Sequence, residues 1–167
     1  GFSTGNITGL GFITTSVGGT LSNMTIKIGT TSVSSLNTTF ETSPMTEVFS
    51  TPSFTPVANV VNFHAFSTPF FWDGASNILV EVCQTNSISG TTTVRAYTPG
   101  FVSNVQAHTS TTSCSNLTGS EVANKPIILF EGILGTNITD TYTWEWNPGA
   151  LAGDTITVSP GATETYT

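Results

Sequence analysis

The side chains best suited to chemistry are few: Cys83 and Cys114, His64 and His108, and ten Asp and Glu residues. A structural zinc site needs four ligands, and the two cysteines have no paired His motif to complete one. No Gly-x-Ser-x-Gly elbow or Cys–His pair of nucleophilic pattern accompanies the histidines, so both read as structural. Glycosidases need two carboxyl groups facing each other across a cleft. Asp73 with Glu81 or Glu121 would be the pairs to consider, but the acids are spread singly and no supporting motif surrounds them. Gly9-x-Gly11 lacks the third glycine and the following helix of a phosphate-binding loop. A calcium site would have to gather carbonyls around Asp73, since no Asp-x-Asp ligand run is present. The residues therefore predict no enzyme, no cofactor and no metal.

Aromatic side chains offer recognition instead. Sugar rings stack their C–H faces on exposed indoles and phenols. Trp72, beside the Asp73-Gly74 turn, and Tyr97, before Pro99-Gly100, are the candidate glycan contacts. The plainer reading of Trp72 is core packing at a strand end. Trp144 and Trp146 share one face of an alternating segment, so burying one buries the other.

Whatever positions these residues is built from strands. Thr (33) and Ser (19) together make 31% of the 167 residues, while charged residues make only 8%. Thr suits strands, and Ser with 16 Gly and 8 Pro supplies turns. Eleven Phe, three Trp and three Tyr weigh against disorder. The net charge of −7 leaves only Lys27, Arg95 and Lys125 as fixed cations. They are too scattered to follow a phosphate backbone or an anionic lipid surface. No apolar run approaches the length of a membrane span, so neither nucleic acid nor membrane insertion is expected.

Short alternating runs recur at roughly ten-residue spacing, as in an antiparallel sandwich. Ile7 to Thr14 reads as a strand, Val17-Gly18-Gly19-Thr20 as a hairpin turn, and Met24 to Ile28 as the return strand. Met24, Ile26 and Ile28 share one face there. Ser32 to Pro44 is irregular, Thr46 to Ser50 is a short strand, and Pro52 and Pro56 bracket a connection. Val60 to Phe66 alternates again. Asn77 to Cys83 is apolar on nearly both faces, which places it centrally under cover. Thr91 to Tyr97, Val105 to His108 and Pro126 to Glu131 complete eight or nine strands before Gly132. That number suits an all-β, antiparallel, two-sheet jelly-roll-like sandwich over residues 1–132. Residues 133–167 read as three further strands, Thr141 to Trp146, Thr155 to Val158 and Thr163 to Thr167. These are too few for a core of their own.

Several pieces in order resemble a module of large secreted and surface-anchored proteins of gliding Bacteroidota. They are Asn6-Ile7-Thr8-Gly9-Leu10-Gly11-Phe12, Met24-Thr25-Ile26-Lys27-Ile28-Gly29, Met45-Thr46-Glu47-Val48-Phe49 and Thr68-Pro69-Phe70-Phe71-Trp72-Asp73-Gly74. Asn77 to Cys83, Cys114 and Asn124-Lys125-Pro126 follow. The segment from Tyr142 to Thr167 is similar to the later half of the Ig-like repeats that accompany such modules. Two departures stand out: the family's extra strand ahead of Asn6 is absent, and the Ig-like piece lacks its opening strand and Cys.

The resemblance implies type IX secretion, an extracellular or cell-surface location and a place in a larger adhesin-like or filament-forming protein. In an exported chain, Cys83 and Cys114 read as one disulfide tying the end of the Asn77 strand to the loop near Ser113. The alternative is a pair of buried free thiols. Asp154-Thr155-Ile156 resembles the O-glycosylation triplet of exported Bacteroidota proteins, which makes Thr155 a modification candidate. The chain starts at Gly1 without an initiator Met and reads as a processed piece of something longer. A sandwich short of an edge strand can accept one from another chain, so strand exchange is an expected route to assembly. Expected partners are neighbouring domains, copies of the same protein and surface glycans. The function that follows is a non-catalytic structural or adhesive module. The alternative is a carbohydrate-binding module that targets a secreted enzyme to polysaccharide.

Overall fold

Met24, Ile26 and Ile28 alternate with Thr25 and Lys27 because one side of this segment is a core face. In the computed structural model they form the middle of β2 (Leu21–Thr31), with all three apolar side chains buried. The structure describes residues 4–85, 90–107, 118–134, 145–146 and 151–152. Every regular element among these is a strand. The longer ones are β1 (Gly5–Ser16), β2, β3 (Met45–Phe54), β4 (Val61–Trp72), β5 (Asn77–Cys83) and, after five short strands, β11 (Ile128–Leu134). The short ones are β6 (Thr93–Val94), β7 (Ala96–Tyr97), β8 (Val105–Gln106), β9 (Ser120–Glu121) and β10 (Lys125–Pro126).

Two antiparallel sheets dominate. One has the order β11-β1-β4, with β6 also pairing the end of β1; the other has the order β3-β2-β5. Ile7 and Leu10 from the first sheet share one buried cluster with Met24, Ile26, Ile28 and Val48 from the second. Phe12, Phe66, Phe70, Trp72, Ile78, Val80, Ile128 and Phe130 pack against it. The fold is thus all-β, antiparallel and sandwich-like. β7 with β10 and β8 with β9 form two small separate pairs.

Three local expectations are corrected. β1 and β2 do not form a hairpin; they belong to opposite sheets, and Val17 to Thr20 carries the chain across. The crossing is fastened to residues 90–93 instead. Gly18 N donates to Thr92 Oγ1 (3.0 Å), and Thr93 Oγ1 lies 2.7 Å from both Thr15 Oγ1 and Ser16 Oγ. Gly19 adopts φ 147°, a conformation that only glycine takes freely. Second, β5 is not central: it ends the described sheet, Val82 is 46% exposed, and β2 holds the middle. Its Glu81 is paired with Lys27 across the strands at 3.0 Å. Third, Pro52 lies inside β3 rather than in a connection. An edge strand tolerates a residue with no N–H to give, and β3 is at the other end of that sheet.

Register shifts shape both sheets. β3 places Phe49 opposite Ile26 and Glu47 opposite Lys27, leaving Val48 as the extra residue of a bulge. Its carbonyl accepts the Ser67 hydroxyl at 3.1 Å. Between β1 and β4 the register jumps from Ile7–Phe70 to Gly9–Ala65, so the bulged stretch contains Pro69.

β4 turns His64 into the core and Phe63 outward; His64 is only 2% exposed. Its ring lies edge-on to Phe49 and Phe54, with centroids 4.7 and 4.8 Å away. Burial among these rings disfavours the imidazolium and lowers the pKa below the usual 6.5. A folded-state pKa below the unfolded one means that the unfolded chain takes up the proton first. Stability is therefore complete above about pH 6.5 and falls as pH drops through the lowered value, by at most about 1.4 kcal/mol per pH unit. Urea midpoints of wild type and His64→Leu, compared between about pH 7.5 and about pH 5, should converge on a flatter profile for the variant.

The chain divides into two compact units, Gly1–Gly135 and Thr136–Thr167. In the second, β12 (Glu145–Trp146) pairs antiparallel with β13 (Leu151–Ala152). The strands expected at residues 155–158 and 163–167 lie outside the described residues, as do Cys114, His108, Trp144 and Thr155.

Candidate functional site

Trp72 closes β4, and the chain must reverse within four residues to enter β5. Asp73 makes that turn. Its Oδ1 accepts the N–H groups of Ala75 (2.9 Å) and Ser76 (2.8 Å), and its Oδ2 accepts the Ser76 hydroxyl. Gly74 takes φ 77°, which a larger side chain would resist. The Ser76 hydroxyl, followed by the two backbone N–H groups, holds the Asp73 carboxyl below the usual carboxylate range. Trp72 is half-buried against the core, and its Nε1 donates to the Ser76 carbonyl at 2.8 Å. Its own carbonyl accepts the Thr4 hydroxyl at 3.0 Å. Indole and carboxylate are both spent on the turn.

That turn forms one wall of an open hollow of about 500 Å³, lined by Thr30, Thr31, Ser32, Ser43, Ala75, Ser76 and Asn77. The facing wall is the end of β2. There the Thr31 hydroxyl accepts Val33 N–H at 3.1 Å, and Asn77 Nδ2 donates to the Val33 carbonyl at 3.0 Å, joining the walls. Ser43 donates to Glu41 Oε1. Gly29 lets the wall close up: a Cβ there would sit 2.5 Å from the Pro44 carbonyl oxygen. The lining carries five hydroxyl groups and one amide but no charge.

Tyr97 stands elsewhere, 49% exposed on β7 opposite Lys125 of β10. Trp72 and Tyr97 thus belong to different sheets. A second surface feature lies on the outer side of the β11-β1-β4 sheet. Phe63 and Leu129 are paired with Gly11, and Phe71 and Ile133 with Asn6. Phe71 and Ile133 are the most exposed large apolar residues described, at 65% and 71%. Phe63 spreads over the glycines, because a Cβ on Gly9 would meet its ring at 2.3 Å.

Cys83 is disulfide-bonded, and no described cysteine is free; Cys114, its expected partner, lies outside the described residues. Glu81 faces Lys27, Glu121 pairs with Val105 in register, and Asp73 is held in its turn. Among the described residues no group of three or more His, Cys, Asp or Glu could hold a metal ion. No described helix is long and apolar enough to cross a membrane. Sequence reasoning singled out Trp72 and Asp73 but missed Thr30, Ser32 and Ser43. In a chain with 52 Ser and Thr residues, nothing marks these hydroxyls as convergent. No family model, curated protein or solved structure matches the chain.

Proposed function

We propose that this chain is a non-catalytic extracellular module with a structural or adhesive role in a large cell-surface or filament-forming protein. The observation that carries this reading is the apolar outer face of the β11-β1-β4 sheet, where Val61, Phe63, Phe71, Leu129 and Ile133 are each more than 40% exposed. Five exposed apolar side chains on one sheet face, interrupted by Glu131, on a chain with so little charge suit contact with a neighbouring domain or copy. Strand ends support it too, since β3, β4, β5 and β11 end their sheets as described and offer edges for strand addition. The extracellular setting rests on the resemblance of the ordered motifs to secreted Bacteroidota modules.

Sedimentation velocity tests the role. The chain should self-associate with rising concentration and without added ligand, and Phe71→Ser with Ile133→Ser should return it to monomer with unchanged thermal stability. A monomer at every concentration, with no binding to its own flanking domains, refutes the reading. A carbohydrate-binding module is the second reading, and the uncharged hydroxyl-lined hollow beside Trp72 favours it.

A further inference from the structure

We propose that the hollow between the end of β2 and the β4–β5 turn is a binding site for a neutral saccharide; this rests on the carbohydrate-binding reading and gives it a location. The site is an open surface hollow of about 500 Å³, lined by hydroxyl groups and an amide. The lining is organised before any ligand arrives. Ser76 and Ser43 give their hydroxyl protons to Asp73 and Glu41, so their oxygens face a ligand as acceptors. Thr31 is the reverse case: its oxygen already accepts Val33 N–H, which leaves its own proton to donate. Asn77 spends one N–H on the Val33 carbonyl and keeps the other, together with its own carbonyl oxygen. The Thr30 and Ser32 hydroxyls have no hydrogen-bond partner among the described residues, so both are available in both senses.

The lining therefore offers both donors and acceptors, as a polyol's hydroxyl groups require. The same network fixes the lining, so little side-chain freedom is lost on binding. Charge narrows the ligand further. Asp73 and Glu41 accept the Ser76 and Ser43 hydroxyls beside the hollow, and with a net charge of −7 they repel anionic sugars. Neutral hexoses and their oligomers fit; sulfated, phosphorylated or uronic ones do not. Trp72 acts as a positioning residue by holding the Ser76 carbonyl, not as the stacking platform.

The test is a ¹H–¹⁵N NMR titration of the full chain, in EDTA, with methyl glycosides of glucose, mannose and galactose and their short oligomers. Shifts should centre on the amides of Thr30, Ser32, Ser43, Ser76 and Asn77. Ser32→Leu, which adds bulk at an exposed position, should weaken binding about tenfold while preserving the spectrum. Thr30→Val should weaken it less, and glucuronic acid should bind worse than glucose. Shifts centred on Phe63 and Phe71, with Ser32→Leu binding normally, would overturn the site while leaving the carbohydrate-binding reading standing. No shift with any of these sugars would remove that reading and the site together.

Discussion

Ile26→Ala should destabilise the first unit by about 2–5 kcal/mol. Ile26 is fully buried at the centre of β2, with Phe49 of β3 on one side in register and Val82 of β5 on the other. Truncation removes the transfer free energy of three carbons and opens a void that strands on both sides cannot close. The effect is large against the total because, among the described residues, only six apolar residues are buried: Ile7, Leu10, Met24, Ile26, Ile28 and Val48. Domains of this size have only about 5–15 kcal/mol to lose. Val82→Ala is the matched control. It lies in register with Ile26 but is 46% exposed, and its cost should be about 1 kcal/mol or less. Urea denaturation followed by circular dichroism reads both, and equal midpoints for the two variants would contradict the assigned core.

Gly18→Ala should cost about 1–3 kcal/mol, although it adds a single methyl group. A Cβ at Gly18 would lie 2.4 Å from the carbonyl carbon and oxygen of Gly90 and 2.7 Å from Thr91 N. All three are backbone atoms, so no side chain can rotate away. The segments must separate, and the Gly18–Thr92 bond with the Thr15, Ser16 and Thr93 hydroxyl contacts goes with them. Gly100→Ala is the counter-example: nothing lies within 4 Å of its added Cβ, and restriction of the unfolded chain should leave stability equal or up to about 1 kcal/mol higher. Thermal melts that rank the two alanines alike would show that the Gly18–Gly90 approach is not close.

Much of the architecture was legible because a period of two needs no partner to be seen. Met24, Ile26 and Ile28 pointed to one core face, and that face is buried. Pairing was not legible, since alternation says which way side chains point and nothing about which strand lies alongside. So Val17 to Thr20 looked like a hairpin turn, yet it bridges sheets because Gly18 and Gly19 serve a close backbone crossing. Asn77 to Cys83 looked central because Ile78, Leu79, Val80 and Val82 are all apolar, but at the sheet end Val82 is left exposed beside Ile26 and Glu81 is ion-paired with Lys27. Apolar side chains on both faces of β4 hid the fact that His64, not Phe63, is inside. Trp72 and Asp73 were legible as a turn. The hollow they border draws on three separated segments, and no local pattern announces that convergence.

The placement of β1 sets a schedule for the whole unit. Its neighbours are β4 and β11, so Gly5 is opposite Trp72 on one edge and Leu134 on the other. The opening strand must wait for the last strand of the unit before its ladder is complete, and loop closure over that span comes before any reward. Such high contact order belongs with folding in milliseconds to seconds rather than microseconds. During synthesis the emerging chain lacks the strand that completes its first sheet, so that ladder cannot close until Leu134 has emerged.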